Sequence, residues 1–88
     1  MGLDTHTVIV DKGAIPHIIN GADVMCPGIV NADENIGEGD YVIIKEESHR
    51  KPLAIGYALI PGSSMRAGSG KAIKTIHYVG DDLWNINA

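Results

Sequence analysis

The chain has 88 residues, 44% of them hydrophobic and 20% charged, a composition that excludes intrinsic disorder and leaves room for one small core and no second domain. A net charge of -4 argues against indiscriminate nucleic-acid binding, which needs a surplus of Lys and Arg. The lone Cys26 excludes an intramolecular disulfide and points to a reducing compartment, the cytoplasm, and the longest apolar run, Leu53 to Ile60, is far too short to span a bilayer.

Thr7 to Val10 is short and β-branched and predicts a strand. Asp11 can cap a two-turn helix in which Ala14, Ile15, Ile18 and Ile19 share one face, with Pro16 in the first turn and Asn20-Gly21 as the stop. Val24-Met25 and Gly28 to Val30 follow as two short strands, and Pro27 between them implies an edge or a bulge. Polar Asn31 to Asp40 is loop, Tyr41 to Ile44 is a strand, and Glu46 to Pro52 is a hairpin loop. Leu53 to Ile60 predicts a central strand buried on both faces, with Gly56 at a bend or a close backbone crossing. Pro61 to Ser64 leads into a short second helical turn around Met65, capped by Ser63 or Ser64, which Gly68-Ser69-Gly70 breaks. Lys71 to Val79 alternates with slips as the last long strand; Gly80-Asp81-Asp82 then turns the chain so that Leu83-Trp84 close onto the sheet. About six short strands, one two-turn helix and a second helical turn make a mainly β (α+β) domain, a compact barrel and not a parallel βαβ sheet.

Charge is unevenly spread. From Ser48 to Gly80 there is no Asp or Glu, yet Arg50, Lys51, Arg66, Lys71 and Lys74 all fall there, so either one basic face sits on an acidic domain or mixed charge simply solvates the surface. Gly68-Ser69-Gly70-Lys71 fails as a phosphate loop, because Met65 stands where the first glycine belongs and Ala72 where Ser or Thr would hold magnesium. His6, His17, His49, His77 and Cys26 lack the close spacing of a zinc chelate pair, so neither a metal nor a cofactor is expected. His6 reads as a loose end and His49 as a solvated loop residue. The adjacent carboxylates Asp33-Glu34, Glu46-Glu47 and Asp81-Asp82 read as solvated loop residues, and no serine has a recognisable base, so no catalytic group is expected. What remains is the stretch from Asp11 to Val30. The helix stops at Asn20-Gly21-Ala22, where bare backbone either approaches phosphates and sugars or serves only as a helix cap.

Val10-Asp11-Lys12-Gly13-Ala14-Ile15-Pro16, then Asn20-Gly21-Ala22-Asp23-Val24-Met25 and Cys26-Pro27-Gly28-Ile29, resemble the opening of PUA domains. Gly39-Asp40 before a strand and Leu53-Ala54-Ile55-Gly56 fit the same pattern. The ending Ile76-His77-Tyr78-Val79-Gly80-Asp81-Asp82-Leu83-Trp84 is similar to the C-terminal PUA domain of the malignant T-cell-amplified and translation machinery-associated family in its archaeal form. It is less like those of tRNA-guanine transglycosylases or pseudouridine synthases. The likeness places a PUA domain at residues 7–86 and leaves residues 1–6 as an N-terminal extension.

The resemblance implies a β-pseudobarrel that binds structured RNA, the tRNA acceptor end or ribosomal RNA, without catalysis. Lys12, Gly13 and His17 would face RNA from the helix, Asn20, Gly21, Ala22 and Asp23 would form the loop, and Lys71 and Lys74 would meet phosphates from the last strand. Arg66 and His77 have weaker claims, and His77-Tyr78 packing against Trp84 is the preferred alternative for that pair. Members of this family carry a domain before the PUA domain, so an N-terminal partner domain is expected, the chain being either an excised domain or a stand-alone form. Work at the ribosomal small subunit follows from the same likeness. Two other functions remain open: the accessory tRNA-binding domain of an RNA-modifying enzyme, and a protein-interaction module.

Overall fold

In the computed structural model, which describes residues 6–78, the short β-branched runs assemble into one six-stranded sheet. Thr7–Val10 forms β1, Val24–Met25 β2, Ile29–Ala32 β3, Tyr41–Glu46 β4, Pro52–Ala58 β5 and Lys71–Tyr78 β6. The strand order is β2-β6-β5-β4-β1-β3, antiparallel throughout except for β1 beside β4. A one-turn 3-10 segment, Cys26–Gly28, joins the two edge strands β2 and β3, so the sheet curls until it is nearly closed into a barrel. Pro27 is what the turn is built on, and Gly28 belongs to it; the strand expected to begin at Gly28 begins at Ile29.

The expected helix forms in two steps. The Asp11 side chain accepts a hydrogen bond from the Ala14 N–H at 3.0 Å, starting a 3-10 turn over Lys12–Ala14 that runs directly into helix α1, Ile15–Ile18, with Pro16 in its first turn. It stops where the Gly21 N–H donates to the Ile18 carbonyl at 2.9 Å and the Ala22 N–H to the His17 carbonyl at 3.0 Å. That pair of bonds requires the residue between to adopt a left-handed conformation, and Gly21 does, at φ 92°. Helix α2, Gly62–Met65, departs from expectation at its start: neither Ser63 nor Ser64 caps it. Pro61 occupies the cap with no side-chain bond, because the Gly62 N–H is held by the Ile36 carbonyl at 2.9 Å and sets the entry two residues ahead of Ser63. Among the described residues no helix is long and apolar enough to cross a membrane.

The interior is filled from alternating strand positions, with Val8, Val10, Val42, Ile44, Ala54, Ala58 and Ile73 at its centre and Ile18, Ile36 and Met65 sealing it from the connections. β5 is central, as expected, but it is not buried on both faces: Leu53, Ala54 and Ala58 enter the core while Ile55 and Tyr57, which alternate with them, are only half-buried on the outer face, and as a strand it ends at Ala58. Gly56 faces β6 where any Cβ would meet the Lys74 carbonyl oxygen and lie 2.7 Å from Ile73 Cγ2, so the two strands cross too closely for a side chain.

The slips in β6 have a structural cause. Val24 pairs with Ile73 and Met25 with Lys71, skipping Ala72; Ile55 pairs with His77 and Gly56 with Thr75, skipping Ile76. Each skipped residue is a bulge that shifts the inward and outward alternation by one. Consequently Ala72 and Ile73 are both buried, while Lys71 and Lys74, three positions apart, are both exposed.

Two expectations, His6 as a loose end and Glu46 as a solvated loop residue, are corrected. His6 is no loose end: its carbonyl accepts from the Ile43 N–H at 2.9 Å and its ring sits 3.4 Å from Asp40. Glu46 is buried at the end of β4, where its carboxylate accepts from the N–H groups of Ser48, His49 and Lys51 at 2.7, 2.8 and 3.2 Å and organises the hairpin. His49 is exposed, 3.8 Å from that carboxylate. The expected strand residue Val79 and the Leu83-Trp84 closure lie outside the described residues. Within them, the Tyr78 ring packs against the Gly21 turn, 3.1 Å from where a Cβ on Gly21 would stand.

Candidate nucleic-acid interface

Between α1, with the 3-10 turn that leads into it, and the β2–β6 edge runs an open groove of about 690 Å³. Its helical wall is Asp11, Gly13, Ala14, His17 and Ile18; its opposite wall is Ala22 to Met25 with Lys71; Pro27 and Gly28 complete the lining. Small residues keep the helical wall low, and Ile18, Val24, Met25 and Pro27 make much of the lining apolar. Such a surface admits a flat, partly apolar ligand with a charge at one rim.

The loop wall is fastened to β6 by Thr75. Its hydroxyl donates to the Ala22 carbonyl at 2.9 Å and its N–H to Asp23 Oδ1 at 3.1 Å, while the Lys71 ammonium approaches Asp23 Oδ2 at 3.3 Å. The Cys26 N–H to the Gly70 carbonyl, 2.8 Å, pins the far end of β2. Burial opposes ionisation of Asp23, but the Thr75 N–H, the Lys71 hydrogen bond and the charges of Lys71 and Lys74 outweigh it and hold the carboxyl below its usual value. The groove therefore carries a fixed carboxylate flanked by two exposed lysines.

Of the residues expected from sequence, Gly13, His17, Ala22, Asp23 and Lys71 line the groove together. Lys12 adjoins it, exposed, with its N–H donating to Glu47 Oε2 at 3.2 Å. Asn20 and Gly21 form the helix stop and do not line the groove. Lys74 is exposed further along β6, near enough to Asp23 to act on its charge. Arg66, the residue that ends α2, is exposed and not brought to the groove. His77 is exposed on β6, away from the lining.

Met25, Pro27 and Thr75 were missed as site residues. Met25 is 45% exposed, and its position on a two-residue strand before a proline was a usable signal, since an apolar side chain on such an edge has little core to enter. Thr75 gave no signal, because its role follows from the bulge beside it. Among the described residues no three His, Cys, Asp or Glu side chains gather as a metal site.

A nearly closed six-stranded mixed sheet, with a glycine-stopped helix set against the edge where its ends approach, defines a PUA-type pseudobarrel. The PUA domain profile matches residues 6–79, and the chain belongs to the PUA domain family. Within it, the chain is 58% identical over 83 residues to an uncharacterised protein of Methanocaldococcus jannaschii, covering 93% of this chain and 51% of that one. Translation machinery-associated protein 20 of Saccharomyces cerevisiae is 35% identical over 88 residues, 92% of this chain and 49% of its own. Malignant T-cell-amplified sequence 1 of Danio rerio is 32% identical over 81 residues, 88% and 45% of the two chains. The chain thus spans about half the length of the relatives it matches. A crystal structure of a hypothetical protein from Pyrococcus horikoshii superposes with a TM-score of 0.89 at 55% identity, over 94% of this chain and 50% of that one. An H/ACA ribonucleoprotein bound to a substrate RNA contains a chain that superposes at 0.79 with 25% identity, over 84% of this chain and 23% of its own.

Proposed function

We propose that this domain is the RNA-binding module of a translation-associated protein of the cytoplasm, holding structured RNA in the groove between α1, the Ala22–Met25 wall and β6. The tRNA acceptor end or ribosomal RNA at the small subunit is the intended ligand, and the domain grips without catalysing. One observation carries this reading: Lys71 and Lys74 stand exposed beside a groove whose floor is open to a base or a sugar. The relation to translation machinery-associated protein 20 supports the translational setting. A second reading, an accessory tRNA-gripping domain of an RNA-modifying enzyme, is favoured by the likeness to a chain of an H/ACA ribonucleoprotein.

Lys71 is shared between Asp23 and any phosphate, so isolated affinity should be weak, about 10⁻⁴ to 10⁻⁶ M. The test is an NMR titration of the isotope-labelled domain with a tRNA acceptor-stem hairpin ending in CCA, at low and moderate salt. Amide shifts should cluster at Lys12 to Asp23 and Lys71 to Thr75 and weaken as salt rises. Replacing Lys71 and Lys74 together with Glu should abolish them in a protein whose melting confirms it is folded. Undiminished binding by that folded variant removes the assignment.

A further inference from the structure

The groove uses one rim of β6, and the outer face of the same sheet offers a second surface. On β4 and β5 the side chains that alternate away from the core include Tyr41, Ile43, Ile55 and Tyr57, none of them buried. Tyr41 pairs directly with Tyr57, and Tyr57 with Lys74, so one row across three adjacent strands is tyrosine, tyrosine, lysine. Side chains opposed in this way have Cβ atoms about 5 Å apart, which makes the row ~10 Å wide. Tyr41 is 70% exposed, the most open large hydrophobic side chain among the described residues. A domain with so little core has no packing reason to leave that ring outside.

Charge selects the occupant. The outward positions of these three strands add Lys45 and His77 but no carboxylate; their one acid, Glu46, is buried and committed to the hairpin N–H groups. Asp40, which precedes Tyr41, is held aside by His6 at 3.4 Å and by the Gly37 N–H at 2.8 Å. Lys74 and the groove-lining Lys71 both act on Asp23, so the row and the groove share one strand and one charged rim. One open ring, Tyr41, beside a half-buried one, Tyr57, and next to a cation suits unpaired bases, which stack on the aromatic surface while the cation meets the backbone.

We infer that the Tyr41–Tyr57–Lys74 row is a stacking platform for single-stranded RNA, continuing the path of an RNA held in the groove. The inference rests on the RNA-binding reading above, which supplies the strand that runs onto the platform.

The test compares three RNAs by fluorescence anisotropy: a blunt stem-loop, the same stem-loop with an unpaired 3′ extension, and the extension alone. The extension should tighten binding to the domain, and Tyr41→Ala should weaken the extended RNA by about tenfold while leaving the blunt one unchanged. Tyr41→Phe keeps the ring and should behave as the parent; both changes are at an exposed position, so the fold is retained, with melting as the check. Equal binding of the extended RNA by Tyr41→Ala overturns the platform, and the groove reading then stands if Lys71→Glu still weakens the blunt stem-loop. Binding of the extension alone, lost in Tyr41→Ala, with no binding of the blunt form, supports the platform and overturns the groove. No binding of any RNA overturns both. Concentration-dependent self-association abolished by Tyr41→Ala, without an RNA response at that residue, overturns the platform in favour of a face between two copies of the chain.

Discussion

Glu46 shows how one side chain can decide a local structure. It ends β4 inside the barrel rim, and its carboxylate takes three backbone N–H groups that the β4–β5 hairpin would otherwise leave unpaired. The same hairpin carries Arg50 at φ 57°, a left-handed conformation rare outside glycine, anchored by its N–H to the Glu46 carbonyl at 3.0 Å. Burial opposes ionisation of Glu46, but the Lys51, His49 and Ser48 N–H groups and the nearby His49 ring hold its carboxyl below the ordinary value of 4.5. Asp23 is lowered in the same direction. A folded-state value below the unfolded one contributes stability that is complete above the unfolded value and lost as pH falls through the folded one. Thermal melting should therefore hold steady from neutral pH down to about 5 and fall steeply below 4, the carboxylate range. Glu46→Gln should melt lower at neutral pH and show a shallower acid decline; an unchanged acid slope would remove Glu46 from this role.

At the scale of the element, β6 carries both the barrel seam and the candidate site, and its two bulges reconcile those demands. A regular strand would send Lys71 and Lys74 to opposite faces; the bulge at Ala72 leaves both exposed and lets Ala72 and Ile73 fill the core in succession. The crossing with β5 depends on Gly56. Gly56→Ala must push the strands apart against the Lys74 carbonyl and Ile73, and should destabilise the domain by about 2–4 kcal/mol in urea titration. Gly70→Ala is the comparison: at φ 87° with open space around it, only backbone strain opposes the side chain, about 1–2 kcal/mol. A Gly56→Ala loss no greater than that of Gly70→Ala would show that the seam adjusts freely.

For the whole molecule, the balance of charge matters less than its placement. A net charge of -4 coexists with an acid-free stretch from Ser48 to Gly80 that supplies β5 and β6. If Lys71 and Lys74 are the phosphate contacts, the logarithm of affinity for unpaired RNA should fall with the logarithm of salt at a slope of about -1.4, two contacts at ~0.7 each. The Lys74→Gln variant should halve that slope, as read from binding isotherms at a series of salt concentrations. A slope unaffected by that change would mean that the charged rim does not meet phosphate.

Six strands, the helix stop at Asn20-Gly21 and a bend or close crossing at Gly56 are legible in the sequence by itself, because each rests on local chemistry: β-branching, a left-handed turn, a missing side chain; that Gly56 is a crossing is shown by β6 packed against it. The sequence also singled out Asp11 to Val30 as the stretch to watch, and half of the residues expected at the site line the groove. Tertiary structure alone decided which of them share a wall. Arg66 and Lys71 look alike in sequence, but β6 pairs with β2 and brings only Lys71 to the groove. Thr75 and the Tyr41–Tyr57–Lys74 row exist only through register, which is set by bulges and by the curl of a sheet joined through Cys26–Gly28. Register depends on every strand at once, since one skipped residue turns the side chains that follow it to the other face.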